Sequence, residues 1–341
     1  MAAPVSTARY DGLAGEWDTS AAAVYGPLAR RLVEASPVPL AGRRVADVGT
    51  GTGAAADVAV AAGARVIGLD RSIGMLAHRR RERPRAVCAD VLALPLADGC
   101  VDVVVAAFLL NHLSPGPALA QIRRVLRPGG AVLASTWAGG TDPVKAVVTD
   151  AARAWGWVEP AWYRAMKDEV EPVTGNPKAL EAAASAAGLT AVRAETVQVD
   201  VGVRDPRDVV AYRLALPQFA PFLAGLAPAD RRALADRAAA AVAPLVPAWR
   251  PPVVLLVARV PVDSVPGTGS GEPARGRPAQ RLRPVARPRR ELRDTSPGQC
   301  APLIDTEDVR DLGSEPPGLE ARDVRQLVQQ GRNLGQVARA G

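Results

Sequence analysis

The chain is poor in the residues that build metal clusters and disulfide scaffolds. Across 341 residues there are 3 cysteines, at Cys88, Cys100 and Cys300, and 2 histidines, His78 and His112. Three widely spaced cysteines make no disulfide framework and suit a reducing compartment, and no metal site is expected. Lysine occurs only at Lys145, Lys167 and Lys178, so arginine carries the positive charge. Aromatic residues make up 4% of the chain. No apolar run approaches the ~18–20 residues of a membrane-spanning helix. Residues 1–10 lack the apolar core of a secretory signal. These absences predict a cytoplasmic protein with no membrane partner. The net charge is +7, but the excess goes with an Ala-, Gly-, Pro- and Arg-rich composition of a GC-rich kind and with a basic tail. No aromatics are interleaved with the arginines of residues 275–293 for base stacking, so nucleic acid is not expected as a partner.

Between residues 43 and 137, apolar strand-like runs alternate with helix formers. Residues 43–48, 65–69, 86–89, 101–107 and 131–136 read as strands. The run 101–107 is apolar almost throughout, as a strand buried on both faces should be. Residues 72–80 read as a helix capped by Ser72, and residues 117–126 as a helix stopped by Pro128-Gly129-Gly130. This alternation predicts an α/β fold, a Rossmann-like doubly wound sheet. Farther on, Asn176-Pro177 starts a helix that Gly188 stops, residues 191–201 read as a strand, residues 206–248 as helical and residues 252–260 as a final buried strand. The order helix, strand, helical insert, strand predicts an antiparallel edge on a mostly parallel sheet, with a helical lid insertion. One domain is expected over residues 1–262, with a ligand half at about 40–137 and insertions at about 138–250. Residues 263–341, rich in Pro, Gly and Arg, read as a disordered, dispensable tail.

Residues 45–53, Val-Ala-Asp-Val-Gly-Thr-Gly-Thr-Gly, carry the strongest local signal. A strand turns through alternating glycines into the alanine-rich helix that follows. Such a turn lets backbone approach a ligand and is expected to offer it bare N–H groups. The pattern also satisfies the loose dinucleotide form G-x-G-x-x-A, with Asp70 about 20 residues on where a ribose-binding acid belongs. Asp47 separates the possibilities. A carboxylate two residues before Gly49 would repel a pyrophosphate over the helix terminus and would attract a cationic amino or sulfonium group. Asp90, followed by Leu94-Pro95-Leu96, suits the exocyclic amine and flat face of adenine. Asp98 and Asp102 read as structural.

These segments, with Asp102–Leu113, the Arg127-Pro128-Gly129-Gly130 turn and the leading segment from Tyr10 to Asp18, resemble the class I S-adenosylmethionine-dependent methyltransferases. The likeness is to the small-molecule branch that includes the quinone-biosynthesis C-methyltransferases. It covers about residues 10–137, and reaches residue 262 by topology alone. The resemblance implies S-adenosyl-L-methionine as cofactor and an in-line methyl transfer to a small organic acceptor at O, C or N. It implies that Gly49, Thr50, Gly51, Thr52 and Gly53 lie under the methionyl part, with Asp47 facing the amino end. It places Asp70 on the ribose hydroxyls beside Arg71 and Met75, Asp90 and Val91 at adenine, and Ala107 and Phe108 running toward substrate.

A general base is needed only if the acceptor must lose a proton, and His112 is the candidate. Tyr10, Trp17, His112, Trp137, Trp155 and Trp162 are candidates for the acceptor wall or lid, against the alternative that they pack the core. Three rivals remain: an NAD(P)-dependent oxidoreductase on the same loop, a nucleic-acid methylase and a non-catalytic S-adenosylmethionine-binding module. The amino-directed nucleic-acid enzymes want a polar-Pro-Pro-aromatic element where this chain has Ala106-Ala107-Phe108-Leu109.

Overall fold

The computed structural model describes residues 10–262; the expected tail, residues 263–341, lies outside them. The described chain begins with α1 (Ala14–Glu16), a π-helical turn at Trp17–Ala21 and α2 (Ala22–Glu34). The ligand half follows as β1 (Arg44–Val48), α3 (Ala54–Ala61), β2 (Arg65–Asp70), α4 (Ile73–Ala77), β3 (Ala86–Cys88), β4 (Val101–Ala107), α5 (Pro115–Val125) and β5 (Leu126–Trp137). Then come α6 (Pro143–Ala154), α7 (Ala161–Glu169), α8 (Glu171–Thr174), α9 (Pro177–Ala186), β6 (Thr190–Gln198), α10 (Pro206–Leu214), α11 (Ala220–Gly225), α12 (Pro228–Val242) and β7 (Pro252–Arg259).

The seven strands form one sheet in the order β3-β2-β1-β4-β5-β7-β6. The first five pair in parallel. The antiparallel pairings lie at the far edge as expected, and both belong to β7, which is threaded between β5 and the outermost β6. Alternate side chains of the central strands feed two cores. Val45, Val103, Val105 and Leu133 join α2, α3, α6, α10 and α12 on one face. Ala46, Val104, Ala106 and Val132 join α5 and α9 on the other. A strand buried on both faces has no room for a polar alternate, which is why 101–107 reads as a continuous apolar run.

Helix starts are written in side-chain oxygens. Asp142, Asn176 and Asp205 each accept amide hydrogen bonds at the head of a helix whose first residue is proline. Proline is at no disadvantage there, because its missing N–H would have no intrahelical partner. Two expectations are corrected. The helix after Ser72 ends at Ala77, not residue 80, and the chain turns through a positive φ of 51° at Arg79. Pro128-Gly129-Gly130 does not precede the fifth strand; it is an irregularity within β5, between the pairings Val101–Leu126 and Val103–Ala131.

Beyond β5 the chain is fastened to the insert by backbone. The N–H of Gly139 donates to the carbonyl of Gly175 at 2.9 Å, and Thr136 Oγ1 donates to the carbonyl of Thr174 at 2.6 Å. A Cβ on Gly175 would stand 2.6 Å from the Gly139 nitrogen, so the two strands of backbone touch with no side chain between them.

Candidate functional site

The strand order reverses direction at β1, which pairs with β2 on one side and β4 on the other. Ligands of open α/β sheets sit outside the carboxyl ends of the strands at such a point. A cavity of about 960 Å³ opens there. It is lined by Asp47, Gly49, Thr50, Gly51 and Thr52 from the β1–α3 turn and by Asp70, Arg71 and Met75 after β2. Asp90, Val91, Ala107, Phe108 and His112, with Tyr10, Trp17, Trp137 and Trp162, complete the expected set. Two expected residues do not line it. Gly53 is the residue before α3, held at φ 105° and buried. Trp155 is half-buried against the insert core.

The glycine loop does not present its amides as expected. Gly49 and Thr50 both donate to the carbonyl of Leu69, at 2.7 and 3.0 Å, and Gly53 donates to the carbonyl of Thr50 at 2.8 Å. The Gly51 N–H donates to Asp70 Oδ2 at 2.8 Å. Four of the loop's amides are therefore taken by the protein itself, and the Asp47 and Asp70 carboxylates stand in the cavity lining beside the loop. Gly51 holds φ 53°, and a Cβ built on it would meet no protein atom within 4 Å. Glycine there serves the left-handed turn and keeps that side of the cavity clear.

Asp47 is 1% exposed. Its Oδ2 accepts from the Thr50 hydroxyl at 2.7 Å, while Oδ1 is buried with no hydrogen-bond partner. Burial pushes its pKa up to about 6, against help from the Thr50 hydroxyl and the Arg83 guanidinium. Burial also raises Asp70, although the amides of Ser72 and Gly51 hold its carboxylate. A buried carboxylate oxygen without a donor is a costly group unless a ligand supplies one.

Arg83, which sequence reading missed, braces this end. It is 8% exposed, donates from Nη2 to Thr50 Oγ1 at 2.9 Å and donates from Nη1 to the Gly51 carbonyl at 2.6 Å. Gly68 in β2 makes room for the arrangement, since a Cβ there would lie 2.9 Å from Thr50 Cγ2 and 3.2 Å from Arg83 Nη2. Asp90 turns out to be a cap as well as a cavity residue: Oδ1 accepts from the Leu92 amide at 2.9 Å, and Oδ2 lies 3.6 Å from Arg71 Nη1.

Across the cavity the wall is aromatic. Tyr10 meets Trp17 edge-on at 5.6 Å between ring centroids, and Trp17 stacks on Tyr25 at 4.9 Å. Tyr25 meets Phe108 at 5.1 Å and Trp137 at 6.0 Å, and Phe108 lies 4.6 Å from Trp137. Phe108 is held at φ 57°, a conformation rare for a bulky residue. His112 Nε2 and the Tyr10 hydroxyl lie 3.1 Å apart. Two cations that were also missed stand beyond this wall, Lys145 from α6 and Arg213 from α10. Lys145 Nζ sits 3.4 Å above the Trp137 ring centroid. Among the described residues no group of three or more His, Cys, Asp or Glu side chains could hold a metal ion. No helix among them is long and apolar enough to cross a membrane.

Residues 46–134 match the family model described as "Methyltransferase domain". A demethylmenaquinone methyltransferase of Renibacterium salmoninarum is 38% identical over 125 residues, covering 36% of this chain and 53% of that one. A probable S-adenosylmethionine-dependent methyltransferase of Mycolicibacterium smegmatis is 39% identical over 130 residues, covering 37% of this chain and 48% of that one. The chain thus spans about half the length of these curated relatives. Among solved structures, a methyltransferase of Thermotoga maritima superposes with a TM-score of 0.46 at 13% identity, over 74% of this chain and 99% of the other.

Proposed function

We propose that the methyltransferase domain this chain carries at residues 46–134 binds S-adenosyl-L-methionine and serves methyl transfer to a small organic acceptor. The observation that carries this reading is the pair of acids at the tips of adjacent parallel strands, buried Asp47 on β1 and half-buried Asp70 on β2, lining one cavity. The unpartnered Asp47 Oδ1 suits a ligand ammonium, and Asp70 is placed for a pair of ribose hydroxyls. Asp90 and Val91 suit adenine, with Arg71 and Met75 beside the ribose and Gly49, Gly51 and Thr52 beneath the methionyl chain; Gly53, outside the cavity lining, serves the turn into α3. A dinucleotide fits poorly: the amides of Gly49, Thr50, Gly51 and Gly53 are donated within the protein, and Asp47 adds a repelling charge.

When bound, the cofactor supplies a methyl group on a cationic sulfonium, and alignment of the acceptor is the protein's share of the work. Ala107 and Phe108 close the end of β4 against that centre, and the Tyr10–Trp17–Tyr25–Trp137 wall excludes water from the acceptor side. His112, positioned by the Tyr10 hydroxyl, is placed to take the acceptor's proton where the reaction releases one. A small-molecule acceptor and a cytoplasmic setting complete the reading.

Calorimetry with S-adenosylhomocysteine and, separately, NADH tests it. Binding of the first alone is the expected result; binding of NADH alone overturns the reading. With an acceptor in hand, His112→Ala should lower the methylation rate by about 10²–10⁴-fold if the residue is the base; an unchanged rate removes it from that role.

A further inference from the structure

The acceptor end of the cavity holds two cations where an apolar substrate would want none. Arg213 is 6% exposed and lines the cavity. Its Nε–H is buried with no partner, and among the described residues its one hydrogen bond runs from Nη2 to Thr149 Oγ1 at 3.5 Å. Its guanidinium carbon lies 5.6 Å from the Phe219 ring centroid. Lys145 lies one turn before Thr149 on α6, whose hydroxyl donates to the Lys145 carbonyl at 2.7 Å. The two cations come from different helices and line the same cavity, Arg213 reaching Thr149 and Lys145 lying over Trp137. Among the described residues, neither makes an ion pair. Of the acids nearby among the described residues, Glu171 lines the same cavity without an ion pair to either cation, and Asp142 takes the amides of Val144 and Lys145 and the indole N–H of Trp249. Glu159 is held by Lys167 and Arg164.

A buried arginine and a half-buried lysine that line one cavity without an ion pair are costly groups, and an entering anion offsets that cost. The fold tolerates the strain on Lys145 in a visible way: burial and the nearby Arg213 lower its pKa to about 7, with Asp142 and Glu171 acting in the opposite sense. Both cations lie beside aromatic rings, so an anion paired with them would carry its flat apolar body along Trp137, Tyr25 and Phe108.

We propose that Lys145 and Arg213 form an anion-recognition subsite, and that the acceptor presents an anionic oxygen, as a carboxylate or an acidic enol or phenol, on a flat apolar body. This rests on reading the cavity as a methyltransferase site and goes further by naming the acceptor's chemistry. The specificity it confers is electrostatic: a neutral analogue would leave the two positive charges on the cavity wall uncompensated and would be rejected for that reason.

The test uses the full chain saturated with S-adenosylhomocysteine and matched probe pairs: 2-naphthoate against 2-naphthamide, 4-phenylbutyrate against its amide, 2-naphthol against naphthalene. Binding is read by tryptophan fluorescence and by calorimetry. In at least one pair the acidic member should bind at least tenfold more tightly. The preference should fall to near unity in Lys145→Met and in Arg213→Met, with affinity for S-adenosylhomocysteine held within twofold. Should Arg213→Met fail to fold, Arg213→Lys, which keeps the charge and loses the Nε–H, together with Lys145→Met carries the test. No acidic preference in any pair, no binding of any acid, or a preference that survives Lys145→Met overturns the proposal. Absence of S-adenosylhomocysteine binding with the acidic preference intact would overturn the donor assignment and leave the anion subsite standing. Preference for the carboxylates alone, or for the naphthol alone, tells which kind of anionic oxygen the acceptor carries.

Discussion

At the β1–β2 end of the cavity the ionisable groups facing the ligand space are the carboxylates of Asp47 and Asp70; at the α6–α10 end Lys145 and Arg213 face it, beside the Asp142 carboxylate that caps α6. The two ends were built by different means. Asp47 and Asp70 are fixed by strand register, because Asp47 pairs opposite Gly68 and each acid stands at or next to the carboxyl end of its strand. Lys145 and Arg213 are fixed by helix packing around Thr149, far from any glycine motif. The first end is braced by an internal cation, Arg83, acting through Thr50; at the second, Asp142 and Glu171 lie near Lys145, but among the described residues neither forms an ion pair with it. One end is thus partly satisfied before a ligand arrives, and the other depends on it more heavily.

The sharpest way to break this contrast is to titrate it. Asp47 has a folded-state pKa of about 6, above its unfolded value near 3.9. The folded state therefore binds more protons than the unfolded state between those values, and stability falls as pH rises through that window. Asp47→Asn should gain up to ~3 kcal/mol at pH 8, with the gain fading toward pH 4. Urea unfolding at both pH values checks it; a gain independent of pH removes the buried charge as its cause. The same variant should bind S-adenosylhomocysteine more weakly, which sets stability against function at one residue.

Asp70→Ala should cost ~2–3 kcal/mol in binding, roughly 30- to 150-fold by calorimetry, because it removes a charged acceptor. Arg83→Leu should cost about 2 kcal/mol of stability, by releasing Thr50 and the Gly51 carbonyl; a chemical denaturation midpoint equal to that of the parent would sink the bracing role.

Lys145→Met should show a smaller pH signature, and in a different window. The lysine pKa is lowered from 10.5 to about 7, so the unfolded state binds more protons between those values and stability rises with pH there. Removing the amine should therefore stabilise most below pH 7, by ~1 kcal/mol after allowance for its partial exposure, and least above pH 10. The smallest effect belongs to Trp155→Phe. That ring lies outside the cavity, so fluorescence quenching by ligand should be unchanged, whereas Trp137→Phe should remove much of it.

The acidic end was far more legible in the sequence than the cationic end. Strand, glycine turn and helix are local signals, and an acid at a strand's end is read by counting. Even there, the direction of the amides was not legible: whether Gly49 and Gly51 face a ligand or the neighbouring strand depends on how β2 lies beside β1. Arg83 was hidden among Arg79, Arg80, Arg81 and Arg85; only the path from α4 to β3 selects which guanidinium turns inward. Lys145 and Arg213 stand on helices whose existence could be read from alanine content and proline starts, but whose rotation could not. Of the tryptophans in the 155–162 cluster, Trp157 is a core residue donating to the Gln218 carbonyl, while Tyr25, which joins the wall together, carried no motif at all.

The bare backbone contact between Gly139 and Gly175 has a mechanical consequence. Because no side chain intervenes and Thr136 grips the carbonyl next door, the α7–α8 insert is riveted to the sheet and must travel with it as one plate. Opening on that flank would tear a pair of hydrogen bonds and pull the touching peptide planes apart at once. The opposite flank is held by other means: along residues 10–21, buried Ala14 and Ala21, the Tyr10 and Trp17 rings, and the ties of Asp11 to Ser72 and Asp18 to His78 fasten side chain to side chain.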